Sequence, residues 1–285
     1  MGGGAKPRPP RGMIEMIRMI VTDLDGTLLA GKSVLPEENI RALRRAMDAG
    51  VKVVLASGRM LEATLPIAEA IGVNAPLSLF NGAMTYDLAT GQVLRAHTIP
   101  RETGLRVLRE IEARGGYVHA FPGRGFYLEE RCHWTDYYEN KIGVKGTRVG
   151  RKLSEWLESD LFKLLCIGEA AELDALAAQL RPMFPELNFV KSGEYHLEVV
   201  CAGVDKASGL KDVGEVTGVS PEEMLAFGDE MNDLPMLLYA GTGYAMENAV
   251  EGVRRALKYV APRNTDCGVA RIVDLYLSEG RMGRS

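Results

Sequence analysis

The sequence predicts an α/β protein: a Rossmann-like parallel-sheet core with an inserted α+β cap. Three observations carry this reading. Short apolar runs alternate with amphipathic helical stretches through about residue 84. The same alternation returns near Lys206. Between them the rhythm changes to hairpins and short strands. Strand-helix-strand units favour right-handed crossovers and a parallel sheet.

Met16 to Thr22 is a buried-strand run, and Asp23 to Thr27 turns the chain. Pro36 to Ala49 is a helix: Pro36 suits a first turn, Ile40, Leu43 and Met47 recur at helical spacing, and Gly50 ends it. Val51 to Ala56 is the second strand, followed directly by Ser57. Leu61 to Ile71 is a helix with Pro66 as an expected kink. Leu77 to Phe80 is the third strand, ending at Asn81-Gly82. Thr85 to Val93 reads as a hairpin, Arg101 to Ala113 as a helix, and Gly116 to Ala120 and Gly125 to Glu129 as short strands. Phe162 to Ile167 is a strand and Glu169 to Phe184 a helix; Phe189 to Lys191 and His196 to Cys201 pair around Gly193. Helices are then expected over 206–217, 233–240, 248–256 and 269–277, with strands over 224–227, 243–246 and 259–260. The core is therefore split in sequence, 13–84 and 194–285, around a cap of 85–193, with hinges expected near Thr85 and Gly193. Residues 1–12, rich in Gly, Pro and Arg, read as a disordered tail or a start-site or expression artefact.

Composition narrows the function classes. Over 285 residues, 46% hydrophobic and 25% charged content is that of an ordinary globular protein. A net charge of -4 gives no broad basic footprint, so nucleic acid is not the expected partner. No run approaches 18 apolar residues, so no membrane span is expected. Cys132, Cys166, Cys201 and Cys267 include no Cys-x-x-Cys pair and read as reduced thiols of a cytoplasmic protein.

Chemistry-bearing residues fall just after the predicted strands, the edge where open α/β sheets place ligands. Asp23 ends the first strand. An ordinary carboxylate, with pKa near ~3.9, is ionised at neutral pH and attacks phosphorus without a general base. Asp25, two residues on, is placed as acid for the leaving alcohol and then base for water. That role asks for a pKa raised relative to Asp23. Ser57 and Gly58 offer a hydroxyl and backbone N–H groups to a phosphate. Lys206 offers positive charge, and Asp229 and Asp233 flank a strand-to-helix junction. Magnesium needs only one or two protein carboxylates, so Asp229 reads as a ligand beside Asp23 and the backbone carbonyl of Asp25, with Asp233 behind it or orienting Lys206. Each segment alone also reads as a turn, a helix cap or a solvated lysine. In the cap, His133, Trp134, Tyr137, Tyr138, Arg124 and Arg131 are candidate substrate contacts, although such aromatics are more often small-domain core and such arginines solvated surface.

With these segments in view, the chain resembles the haloacid dehalogenase superfamily, specifically its Cof-type phosphatases with a large α/β cap. The likeness rests on Asp23-Leu24-Asp25-Gly26-Thr27-Leu28, Ala56-Ser57-Gly58-Arg59, Asn81-Gly82-Ala83, Asp205 to Leu210, and Gly228 to Leu237. The resemblance implies Mg2+-dependent hydrolysis of phosphate monoesters through an aspartyl-phosphate on Asp23. It makes Asp23, Asp25 and Lys206 catalytic, and Asp23, Asp25 and Asp229 the metal site, backed by Asp233. Thr27, Ser57, Gly58, Asn81, Gly82 and Asn232 are assigned to phosphate and substrate. The expected substrate is a small phosphorylated metabolite, sugar phosphates first, and a monomer or homodimer is expected. A phosphotransferase such as a hexose-phosphate mutase remains the alternative among enzymes, and a non-catalytic metabolite-binding protein the alternative outside them.

Overall fold

The computed structural model describes residues 16–31 and 34–283. The tail expected at residues 1–12 lies outside them. The chain begins with β1 (Met19–Thr22), α1 (Glu37–Asp48), β2 (Lys52–Leu55), α2 (Leu61–Ile71) and β3 (Leu77–Leu79). The hairpin β4 (Met84–Asp87) and β5 (Gln92–Ala96) follows. The middle third comprises α3 (Arg101–Ala113), β6 (Val118–Phe121), β7 (Tyr127–Leu128), α4 (His133–Ile142), β8 (Thr147–Arg148), α5 (Leu153–Trp156), β9 (Lys163–Ile167), α6 (Ala170–Leu180), β10 (Leu187–Gly193) and β11 (His196–Cys201). The last third is α7 (Lys206–Thr217), β12 (Met224–Gly228), α8 (Leu234–Tyr239), β13 (Thr242–Met246), α9 (Glu251–Ala256), β14 (Tyr259–Ala261) and α10 (Gly268–Ser278).

The core sheet is parallel, in the order β14-β13-β12-β1-β2. Its central strands are buried along their length, which is why they read as continuous apolar runs. From β1 the chain first builds outward to β2 and later returns on the other side through β12. The order therefore reverses between β1 and β12, where a crevice opens at the strand ends. β3 continues beside β2 through a single parallel bridge, Ala56 to Ser78.

The second sheet has the order β10-β11-β9-β6-β7-β8 and is mostly antiparallel. Its two faces differ at period two. Leu164, Cys166, Leu197 and Val199 join α3, α5 and α6 in a separate apolar cluster. Leu165, Ile167 and Val200 belong instead to the cluster continuous with the core domain.

Strand pairing moves two expected boundaries. The β4–β5 hairpin was expected in the cap, yet β4 pairs with β3 on the core side. Residues 194–201 were expected in the core, yet β11 pairs with β9 and β10 in the cap sheet. The expected hinges at Thr85 and Gly193 consequently fall inside hydrogen-bonded hairpins. The chain crosses between units at residues 97–100 and 202–205 instead. α4, α5 and β8 had no counterpart in the sequence reading, because α4 (HWTDYYENKI) lacks an apolar stripe and the other two are very short.

Candidate active site

Phe80 and Asn81, at the end of β3, both adopt left-handed backbone, φ 53° and 58°. L-residues rarely hold this conformation, and it persists where surroundings over-determine it. Here it turns Phe80 into the cap, stacked on Phe162 at 5.3 Å and edge-on to Phe121 at 6.0 Å. Asn81 is buried and accepts a hydrogen bond from Asn232 Nδ2 at 3.0 Å.

The strand ends β1 and β12, with the first residue of α7, bring together Asp23, Asp229 and Lys206. Lys206 Nζ donates to Asp23 Oδ1 at 2.6 Å and also to Asp233 Oδ1. The lysine is 1% exposed, so its charge is neutralised by these carboxylates and not by water. Burial alone would lower its pKa, but Asp23 and Asp233 outweigh that and raise it. Thr27 Oγ1 donates to Asp229 Oδ1 at 2.6 Å. Asp233 Oδ2 accepts from the backbone N–H of Asp229 and of Glu230, each at 2.9 Å. Both oxygens of Asp233 are thus engaged in holding the lysine and the β12–α8 turn.

Asp23, Asp229 and Asp233 offer carboxylate oxygens that all lie within 4.8 Å of one another. Without a cation this is costly. Burial first, then neighbouring carboxylates, pushes both Asp23 and Asp229 well above the usual carboxylate range, against the pull of Lys206 on Asp23. Gly26, at φ 82°, lies so close that a Cβ there would stand 2.2 Å from Asp229 Oδ2. Hard oxygen donors, excess negative charge and a backbone cradle fit a divalent cation such as Mg2+. With Asp233 committed elsewhere, Asp23 and Asp229 are the side chains left to hold one.

Asp25 departs from expectation. Its carboxylate is gripped in bidentate fashion by Arg59, Nε to Oδ2 at 2.7 Å and the terminal nitrogen to Oδ1 at 2.6 Å. Burial raises its pKa, but Arg59 more than compensates and holds it below the ordinary value. The expected order, Asp25 above Asp23, is reversed here. Arg59, quoted in the sequence motif but given no role, is the missed partner.

Other assignments shift as well. Thr27 is fully buried, donates to Asp229 and does not line the site cavity. At Gly82, φ 97°, a Cβ would stand 2.2 Å from the carbonyl of Asp205; this glycine lets two loops approach and does not line the cavity. Asp23, Asp25, Ser57, Gly58 and Asn232 do line one common cavity, of about 60 Å³. Of the cap candidates only Tyr138 lines it. Arg131 pairs with Glu139 and Asp136, Arg124 and His133 are exposed, and Trp134 and Tyr137 pack around Tyr195. The other polar cap residues that line the cavity are Lys141, Lys163, Ser192, His196 and Glu198. A signal existed for three of them: Lys163, His196 and Glu198 fall on the core-facing alternation of β9 and β11, polar positions in otherwise apolar strands.

A family model described as haloacid dehalogenase-like hydrolase matches residues 20–273. The chain belongs to this family. The haloacid dehalogenase-like hydrolase described here is 31% identical over 271 residues to the HMP-PP phosphatase of Yersinia pseudotuberculosis, covering 92% of this chain and 96% of that one. It is 29% identical over 278 residues to the pyridoxal phosphate phosphatase YbhA of Escherichia coli, covering 91% and 98%. Among solved structures, that of TM0651 from Thermotoga maritima matches this hydrolase with a TM-score of 0.79 and 32% identity, over 91% of this chain and 97% of that one.

Proposed function

We propose that this hydrolase is a Mg2+-dependent phosphatase of small phosphorylated metabolites, acting through an aspartyl-phosphate on Asp23. The observation that carries the reading is the buried Asp23–Lys206–Asp233 bridge with Asp229 beside it, at the point where the sheet order reverses. The names of the relatives, both phosphatases of small phosphorylated compounds, support it.

Asp23 and Asp229, with the backbone carbonyl of Asp25, would hold the metal. When bound, Mg2+ neutralises these carboxylates and withdraws charge from a phosphoryl oxygen. The chain's own residues then divide the work. Lys206 favours the ionised form of Asp23, against its burial, and adds positive charge beside the phosphoryl group. Asp23 forms the new P–O bond while the ester oxygen leaves as the alcohol, taking a proton from Asp25. Water next attacks phosphorus, giving its proton to Asp25, and the Asp23–phosphorus bond breaks to release inorganic phosphate. Asp25 donates in the first step only once its grip by Arg59 loosens, since that pair favours the ionised form. Positioning and electrostatics carry most of the rate in phosphoryl transfer.

The common cavity is lined by core and cap residues together, so its room for a leaving group depends on how the cap sits. The crossings at 97–100 and 202–205 are where it would turn. Sugar phosphates stay in the substrate panel, joined by phosphorylated cofactor heterocycles on the strength of the relatives' names. The test is phosphate release from such a panel, with Mg2+ and with EDTA, by wild type and Asp23→Asn. Metal-dependent release that the variant loses supports the reading. Turnover only with a bisphosphate activator would make the protein a phosphotransferase, and no turnover with any member would leave a binding protein.

A further inference from the structure

We infer that His196 is a specificity-determining hydrogen-bond donor, which with Lys141 selects phosphate esters whose leaving group carries an acceptor oxygen close to the ester. This deepens the phosphatase reading and rests on it. His196 opens β11 and lines the same cavity as Asp23, Asp25 and Ser57. Lys141, in the last turn of α4, lines it too, and its Nζ stands 3.4 Å from His196 Nδ1. An ammonium has only hydrogens to offer, so Nδ1 accepts and the ring proton sits on Nε2. The charge state agrees: burial, then Lys141 and Lys163, brings the ring to about 3, which leaves it neutral at working pH.

The result is an N–H donor in a residue only 4% exposed, and Nε2 has no hydrogen-bond partner among the described residues. Buried donors are rarely left unmade, and each such group calls for an explanation. Several polar side chains of this cap face are paired with one another: Glu198 accepts from Lys163 at 2.8 Å and from Ser192 at 2.7 Å, and Lys163 also donates to Gly58 O at 2.6 Å. His196 Nε2, beside the Lys141 ammonium, is a donor of this face placed to meet a leaving group. The adjoining wall, Tyr138, Ile142 and Leu165, is otherwise largely apolar. An acceptor such as a carboxylate, keto or hydroxyl oxygen would complete the ring's bonding, and the ammonium of Lys141 favours one that is anionic.

The experiment compares matched esters, phosphoglycolate against ethyl phosphate, with Mg2+, in wild type, His196→Phe and His196→Gln. Phenylalanine keeps the ring volume without the donor, and glutamine returns an N–H near the Nε2 position. The reading is the ratio of kcat/KM for the two esters within each protein, so a general loss of rate cancels. The wild-type ratio should favour phosphoglycolate, fall at least ~10-fold in His196→Phe, and recover in His196→Gln. Should His196→Phe not fold, Lys141→Met is read the same way and should also lower the ratio. A wild-type ratio near one, or a ratio that these substitutions leave unchanged, overturns the inference while the phosphatase reading stands. Release from neither ester nor from the wider panel overturns both.

Discussion

Asp25 and Arg59 form a two-point ion pair that ties the loop after β1 to the loop after β2. The arginine side chain is 7% exposed and the aspartate 36%. Two parallel N–H···O bonds fix the carboxylate's plane as well as its charge. The pair thus controls both where Asp25 points and how readily it takes a proton. Replacing Arg59 by Met removes the group that depresses the Asp25 pKa. Asp25 must be protonated to serve the leaving alcohol, so the alkaline limb of the kcat/KM–pH profile should move to higher pH in the variant. The absolute rate should also fall, since Asp25 loses its orientation. An alkaline limb unmoved in Arg59→Met would mean that Asp25 is not the acid.

Asp23→Asn should abolish turnover, by ~10⁴-fold or more, with the fold intact. A nucleophile acting as one unit with its neighbours is not compensated by them when removed. An amide of the same shape still accepts from Lys206 and removes one of the mutually repelling charges, so thermal stability in EDTA should not drop. Phosphate release and thermal melting of the same preparation check both points. A folded variant with near-wild-type turnover would end the assignment of Asp23.

Metal linkage follows from the raised Asp23 and Asp229. A carboxyl whose folded pKa lies above its unfolded value near ~3.9 contributes stability at low pH and loses it as pH rises through the folded pKa. Metal-free protein should therefore weaken from about pH 4 upward across the neutral range. Mg2+ binds the ionised form, so the rise in Tm it produces should grow over the same window. In Asp229→Asn the Mg2+ effect should shrink, and the metal-free protein should lose less stability as pH rises. A Tm shift independent of pH, or undiminished in Asp229→Asn, would place the cation elsewhere.

The core site was legible because its residues follow strands that announce themselves as unbroken apolar runs. Asp23 after Met19–Thr22 and Gly228-Asp229 at the end of β12 need no partner information to be placed at a sheet edge. Arg59 was not legible, because a lone arginine after Ser57-Gly58 gives no sign of which acid it will meet across the crevice. The cap boundaries failed for a related reason. Whether β4 pairs with β3 or β11 with β9 is a long-range choice, and local turn signals at Thr85 and Gly193 resemble hinges equally well. The aromatic cap candidates drew notice by type, but α4 turns only some of them inward. Lys163, His196 and Glu198 carried the better signal, their placement on one face of strands whose other face is apolar.

Lys163 joins cap to core, donating to Glu198 within the cap and to the carbonyl of Gly58 in the loop after β2. Its side chain is 2% exposed and that of Glu198 is 6%. Removing one partner of such a pair leaves an uncompensated buried charge, typically at a cost of ~3–5 kcal/mol. Lys163→Met should therefore be strongly destabilising in denaturant unfolding. The double variant Lys163→Met with Glu198→Gln should recover part of that loss, because the stranded charge is gone and the amide still accepts from Ser192. Lys163→Met should also raise KM more than it lowers kcat if closure of the cap over Gly58 holds the substrate. Additive losses in the double variant would show that the two side chains act independently, and the ion pair would then not be what seats the cap on the loop after β2.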